Sequence, residues 1–228
     1  MKKINSIIIL LFFLIGCEIT LVSPPEPISY DDGDSVVLAV RPMNNNYACM
    51  VTALGMWLQF YDDMGYLLMD NFKDIVSDQH VTYYVMPKDT KGNLLPDSSL
   101  LENPPQNCLA DFLKTSWYSE GNFHGATLSW NIVSGLQEYL KYKGDKYTLM
   151  YDWVKGYLDY IRLIDQGYPV YLSVSTPNNN HSILGIGYVK SDSTYLSYNS
   201  FGDLKKYKWE NEKDWKLNMT VILQIMNK

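Results

Sequence analysis

Two kinds of hydrophobic pattern divide this chain. From Cys49 to Tyr61, the residues Met50, Ala53, Leu54, Trp57, Leu58 and Tyr61 return every three or four positions, the spacing of a helix face. The polar run Asn44-Asn45-Asn46 lies just before it, so Cys49 is predicted at or near a helix N-terminus. A short helix is expected over Leu109–Lys114 and another over Leu158–Gln166. A longer one over Trp130–Tyr142 carries Ile132, Leu136, Tyr139 and Leu140 on one face, with Gly144 as its stop signal. Val36–Val40 reads as a short strand, and Asp63–Asn103 as loops with one or two short helices. After the last helix the pattern changes. Val170–Val174, Ser182–Val189, Tyr195–Tyr198, Lys205–Trp209 and Thr220–Ile225 read as successive strands separated by Asn, Gly, Ser and Asp turns. Helices first and strands afterwards predict an α+β fold with an antiparallel sheet.

The ends of the chain carry a different signal. Basic Met1-Lys2-Lys3 is followed by an apolar run, Ile7 to Ile15, that stops at Gly16-Cys17. This is the charge and hydropathy order of a secretory signal, and the run is too short for a retained transmembrane helix. Leu14-Ile15-Gly16-Cys17 looks like a lipobox, so residues 1–16 are expected to be cut away and Cys17 to carry lipid. Two or three acyl chains there would anchor the protein stably to the bacterial cell envelope, facing the periplasm or the exterior, where one chain binds only marginally. Residues 17–35, with Pro24-Pro25, Pro27 and Asp31-Asp32-Gly33-Asp34, read as an extended tether, the alternative being a strand packed on the domain. Residues 36–228 then form one domain, since the mature chain of about 210 residues supports a single sizeable core.

Composition narrows the function classes. A net charge of −6 and no dense basic stretch argue against a nucleic-acid partner. Aromatic residues at 14% favour a packed fold over disorder. With Cys17 lipidated, only Cys49 and Cys108 remain, too few for a disulfide framework; they could form one bridge, or be a reactive thiol and a buried one. Three scattered histidines without ligand spacing give no metal site, and no cofactor is called for. No Gly-x-Ser-x-Gly elbow occurs, which disfavours a serine hydrolase.

The candidate chemistry centres on Cys49. A thiol attacks as thiolate, which a helix N-terminus favours and a nearby imidazole completes. Of His80, His124 and His181, the last follows the turn Asn178-Asn179-Asn180 and opens the apolar strand Ser182-Ile183-Leu184-Gly185-Ile186-Gly187-Tyr188. Asn199, at the end of the next predicted strand, would lie beside it. His124 reads as structural or cleft-lining, and His80 has no evident counterpart. Each of the three site residues also has a plain reading alone: Cys49 as a small buried hydrophobe, His181 and Asn199 as turn residues.

Taken together, Cys49, His181 and Asn199 resemble the papain-like order of Cys, then His about 130 residues on, then Asn. His181-Ser-Ile-Leu-Gly-Ile-Gly-Tyr188 resembles the His-Ala-Val-x-x-x-Gly-Tyr strand of those peptidases, and Asn199-Ser-Phe-Gly202 their Asn-Ser-Trp-Gly motif. A closer similarity is to the bacterial relatives of the bacteriocin-processing peptidases, family thirty-nine of the cysteine class. There the nucleophile heads Cys-Gly-Pro-Thr-Ala, matched here by Cys49-Met-Val-Thr52-Ala53. A mid-chain Cys/Ser-Ile/Leu-Ala-Asp-Phe-Met-Gly-Thr-Ser segment is matched by Cys108-Leu-Ala-Asp-Phe-Leu-Lys-Thr-Ser116. The resemblance implies a papain-like fold, with the nucleophile helix packed across a C-terminal antiparallel sheet. It also implies hydrolysis of a peptide or protein substrate through a Cys49 thioester, His181 as base and Asn199 as its orienting partner.

The departures bear on activity. Met50-Val51 replaces Gly-Pro, and the glutamine expected before the nucleophile to donate to the oxyanion is absent. Met43 stands near its place, and Asn44 is the best substitute donor, beside the Cys49 amide. Two other readings stay open on these residues: a surface binding module on the same fold with degraded chemistry, and a cell-wall amidase or endopeptidase of the NlpC type.

Overall fold

The computed structural model describes residues 28–29, 33–43, 48–76, 106–115, 127–175, 180–199, 202–210 and 216–228. Helix α1 runs over Cys49–Tyr61, the expected span, and every residue from Met50 to Tyr61 except Gln59 is buried. A helix apolar on all sides needs cover on all sides. Here one side meets the sheet and the other meets α2 (Leu109–Phe112), on which α3 (Asn131–Tyr142) packs. The helix leaves through a wide π turn, Asp62–Tyr66, and Leu67 takes a left-handed conformation at φ 52°. The Asp62 carboxylate holds that exit by accepting the Leu68 and Met69 amides at 2.6 and 3.1 Å. Helix α4 spans Tyr157–Asp165.

Among the described residues eight strands form the sheet: β1 Ile28–Ser29, β2 Ser35–Val37, β3 Tyr147–Trp153, β4 Val170–Ser175, β5 Asn180–Val189, β6 Thr194–Tyr198, β7 Leu204–Lys208 and β8 Lys216–Asn227. All pairings are antiparallel, in the order β1-β2-β5-β4-β8-β3, with β6 and β7 added from β5. The α+β fold is the expected one, an N-terminal helix packed on a C-terminal antiparallel sheet. Within the stretch read as tether, Ile28–Ser29 pairs with β2, as the alternative reading of a packed strand allows. One strand was not foreseen. Tyr147–Trp153 lies at the sheet edge, where only Leu149 is buried, so no buried stripe marks it in the sequence.

Strand β5 organises the sheet. Residues Asn180–Gly185 pair with β4, and Gly187–Val189 pair with β2. On the other side β6 pairs only from Leu184, opposite Tyr198, to Val189. The start of β5 is therefore flanked by β4 and left uncovered by β6. Along the pleat successive side chains alternate in face. Ser182 shares its face with Tyr171, its diagonal neighbour on β4, whereas a side chain at Gly185 would meet the Tyr160 ring of α4. So α1 and α4 cover opposite faces. At Gly187 an added Cβ would stand 2.3 Å from the Val36 carbonyl oxygen, which explains a glycine where β2 crosses β5.

The core is continuous from α1 through the sheet to α4. The indole N–H of Trp57 donates to the Leu223 carbonyl at 3.0 Å, and the Tyr61 hydroxyl reaches the same oxygen at 3.4 Å. These bonds lock α1 on β8 and set the position of its first residue.

Candidate active site

Cys49 is the first residue of α1, after Ala48, which has non-helical dihedrals and no side-chain cap. With no capping side chain, the first amides of the helix are available to a group at that end. Hydrogen-bonding influences from Ser182 and from the Met50 and Cys49 backbone lower the Cys49 thiol pKa. Burial is the larger influence and pushes the thiol above its ordinary value. The expectation that the helix end would leave a low-pKa thiolate is thus offset by desolvation.

His181 lies next to Ser182 in β5, half-buried and paired in register with Val174. Burial alone pushes its imidazole below the usual 6.5, so the ring is neutral at pH 7. Among the described residues no hydrogen bond joins the Cys49 sulfur to the His181 ring. The resting arrangement is a neutral thiol and a neutral imidazole on neighbouring elements. Asn199 follows Tyr198, the last β6 residue paired with β5. Its side-chain oxygen accepts the Asp203 amide at 3.0 Å, and its carbonyl accepts the Gly202 amide at 3.2 Å. An amide oxygen has a second lone pair, so that turn leaves acceptor capacity in principle.

Asn44, Cys17, His80 and His124 lie outside the described residues. Cys49 and Cys108 are not bridged; Cys108 is fully buried at the start of α2. The Asp111 carboxylate accepts the Asn107 and Cys108 amides at 2.9 and 3.1 Å, so the mid-chain segment has a structural role in fixing that helix start. Among the described residues no three His, Cys, Asp or Glu side chains gather as a metal site, and no helix is long and apolar enough to cross a membrane.

Sequence reasoning missed Ser182 and Tyr171. Their hydroxyls are 2.7 Å apart in the buried part of the sheet. The available signal was a serine and a tyrosine on apolar strands, which burial obliges to find partners.

The titration directions predict the pH behaviour of the site. Alkylation of Cys49 by iodoacetamide rises only near or above the ordinary thiol value of about 8.5, and a kinetic series from pH 5 to 10 checks it. Rapid labelling below pH 7 would contradict the burial argument. Any activity that needs the neutral His181 ring declines only as pH falls below 6.5, because the folded ring resists protonation.

No curated protein matches the chain. A family model described as the Peptidase_C39 like family matches residues 37–220, from β2 into β8 and across both Cys49 and His181. With that match spanning most of the chain, and the helix that begins at Cys49 laid on an antiparallel sheet, the protein belongs to the Peptidase_C39-like family, a papain-like group.

Proposed function

We infer that this chain is a papain-like cysteine peptidase that hydrolyses peptide or similar amide bonds, held at a bacterial membrane by lipid on Cys17. The observation that carries the reading is the seating of Cys49: it heads α1, and α1 packs on β5, the strand that bears His181. Family membership supports a peptide or protein as substrate.

In this mechanism His181 accepts the Cys49 proton as the sulfur attacks the carbonyl carbon. A neutral imidazole and a neutral thiol suit general-base attack, since it begins with the proton on sulfur. The oxyanion is received by the Cys49 amide and the Asn44 carboxamide. Collapse breaks the C–N bond, His181 returns the proton to the leaving amine, and a thioester remains on Cys49. Water then attacks with His181 again as base, releasing the acid and the thiol. Asn199 orients the ring from the end of β6.

A second reading has an observation of its own. The raised thiol, with no hydrogen bond to the imidazole, suits a binding module that keeps the fold without the chemistry. One titration separates the two. With the peptidase, hydrolysis of a mixed peptide substrate falls in proportion to iodoacetamide incorporated at Cys49 and vanishes at full labelling. Hydrolysis that survives full labelling removes the cysteine mechanism, and peptide binding without cleavage by the unlabelled protein favours the module.

A further inference from the structure

Among the described residues the sheet ends in three edge strands, β1, β3 and β7, and two of them are blunted. β1 is two residues long, and β7 carries Lys205, Lys206 and Lys208, which discourage pairing with another chain. β3 has neither protection. It is seven residues long, contains no lysine or arginine, and exposes Met150, Tyr151 and Trp153 at 47%, 53% and 58%. Met150 alternates in face with Tyr151 and Trp153, so β3 presents apolar groups on both faces, as strands inside a sheet do.

The backbone of β3 is also set to pair. The Val154 amide donates to the Thr220 carbonyl at 3.1 Å, and the Lys228 amide to the Lys146 carbonyl at 2.9 Å. In that register the amides of Thr148, Met150 and Asp152 turn toward β8, and those of Tyr147, Leu149, Tyr151 and Trp153 turn away from the sheet. The Asp152 carboxylate accepts the Trp153 amide at 2.7 Å. Among the described residues the other three outward amides face no strand.

We propose that β3 is an interface at which a second copy of this chain pairs edge to edge, continuing the sheet across a two-fold axis. The charge pattern favours a copy, because the only charged residue of β3 is Asp152. An axis through Met150 sets Asp152 opposite Thr148 of the partner subunit and Tyr151 opposite Leu149 of the partner subunit. An axis through Tyr151 sets Asp152 opposite Met150 of the partner subunit. In either register outward amides meet outward carbonyls and the aspartate never faces itself, so the strand is self-complementary. Residues 17–27 enter the domain at β1, the far end of the strand order, so two copies tethered to one membrane can still meet through β3.

The test is sedimentation equilibrium of the full-length chain in density-matched detergent. The wild type is expected to dimerise with a dissociation constant on the order of 10 μM, as small transient interfaces do. Tyr151→Lys and Trp153→Lys give β3 the guard that β7 has, and each should weaken the dimer about tenfold or more. Both side chains are exposed, so the thermal midpoint should stay at the wild-type value. Leu204→Lys changes a comparably exposed apolar residue on β7 and should leave the dimer intact, which separates this edge from general surface adhesion. A wild type that stays monomeric to about 100 μM overturns the proposal. So does a dimer that both β3 variants leave unchanged. Uptake of an extended peptide at β3 by a chain that stays monomeric also overturns it, since the edge then belongs to another partner. The experiment reads mass and not hydrolysis, so its outcome is independent of the peptidase reading.

Discussion

Cys49→Ala is expected to lower peptide-bond hydrolysis by about four orders of magnitude or more, the range seen when an attacking nucleophile is removed. The folded protein should be little affected. Cys49 is half-buried at the first position of α1, and the change removes a single sulfur atom there. A stability change within about 1 kcal/mol is expected for such a site. Side-by-side hydrolysis assays and thermal melting of the two proteins check both parts. Hydrolysis at the wild-type rate in the variant would mean that another group attacks, or that a contaminant does.

Trp57→Ala should produce the reverse: a large stability loss with the chemistry of the folded fraction retained. The indole is fully buried at the centre of α1, stacks edgewise on Tyr61 at 5.0 Å between ring centroids, and donates to the Leu223 carbonyl. Emptying that volume costs about 4 kcal/mol. For a domain of this size the melting midpoint drops by roughly 10 °C. Trp57→Phe fills most of the space and leaves the carbonyl to Tyr61, so its cost is only about 1–2 kcal/mol. Urea unfolding of the three proteins measures the series. A loss under about 1 kcal/mol in Trp57→Ala would mean that the docking of α1 on β8 does not depend on this side chain.

How far the site was legible varies residue by residue. Helix α1 was read with its observed ends because its apolar repeat is strong and the polar run before Cys49 marks its start. Strand β5 was placed two residues late, since Asn180 and His181 are polar and only pairing with Ser175 and Val174 makes them strand. β3 was missed for a related reason: its membership in the sheet is conferred by β8, residue against residue from Tyr147↔Asn227 to Trp153↔Val221. The status of Cys108 was open between bridge and core, and the packing of α2 against α1 and α3 made it core.

The titration of the site was the least legible part. A helix N-terminus is a local feature and can be read from sequence, so the pull toward thiolate was foreseen. Burial is a property of everything packed around the sulfur. It pushes the thiol up and the imidazole down together, against the ion pair that the helix end alone would favour.

What the sequence determined by itself was the order of the helices and of most strands, the identity of the helix that carries Cys49 and the strand that carries His181, and the family in which those motifs recur. These depend on hydrophobic period, turn residues and short motifs, all of which act over a few neighbouring positions. Only the tertiary structure decided that α1 packs on β5, that the Ser182 and Tyr171 hydroxyls bond one another, and that the pairing of β6 with β5 ends at Leu184, leaving the start of β5 uncovered by β6. Those facts depend on strand register and on which faces are buried, and register is settled by the fit of whole faces rather than by any one residue.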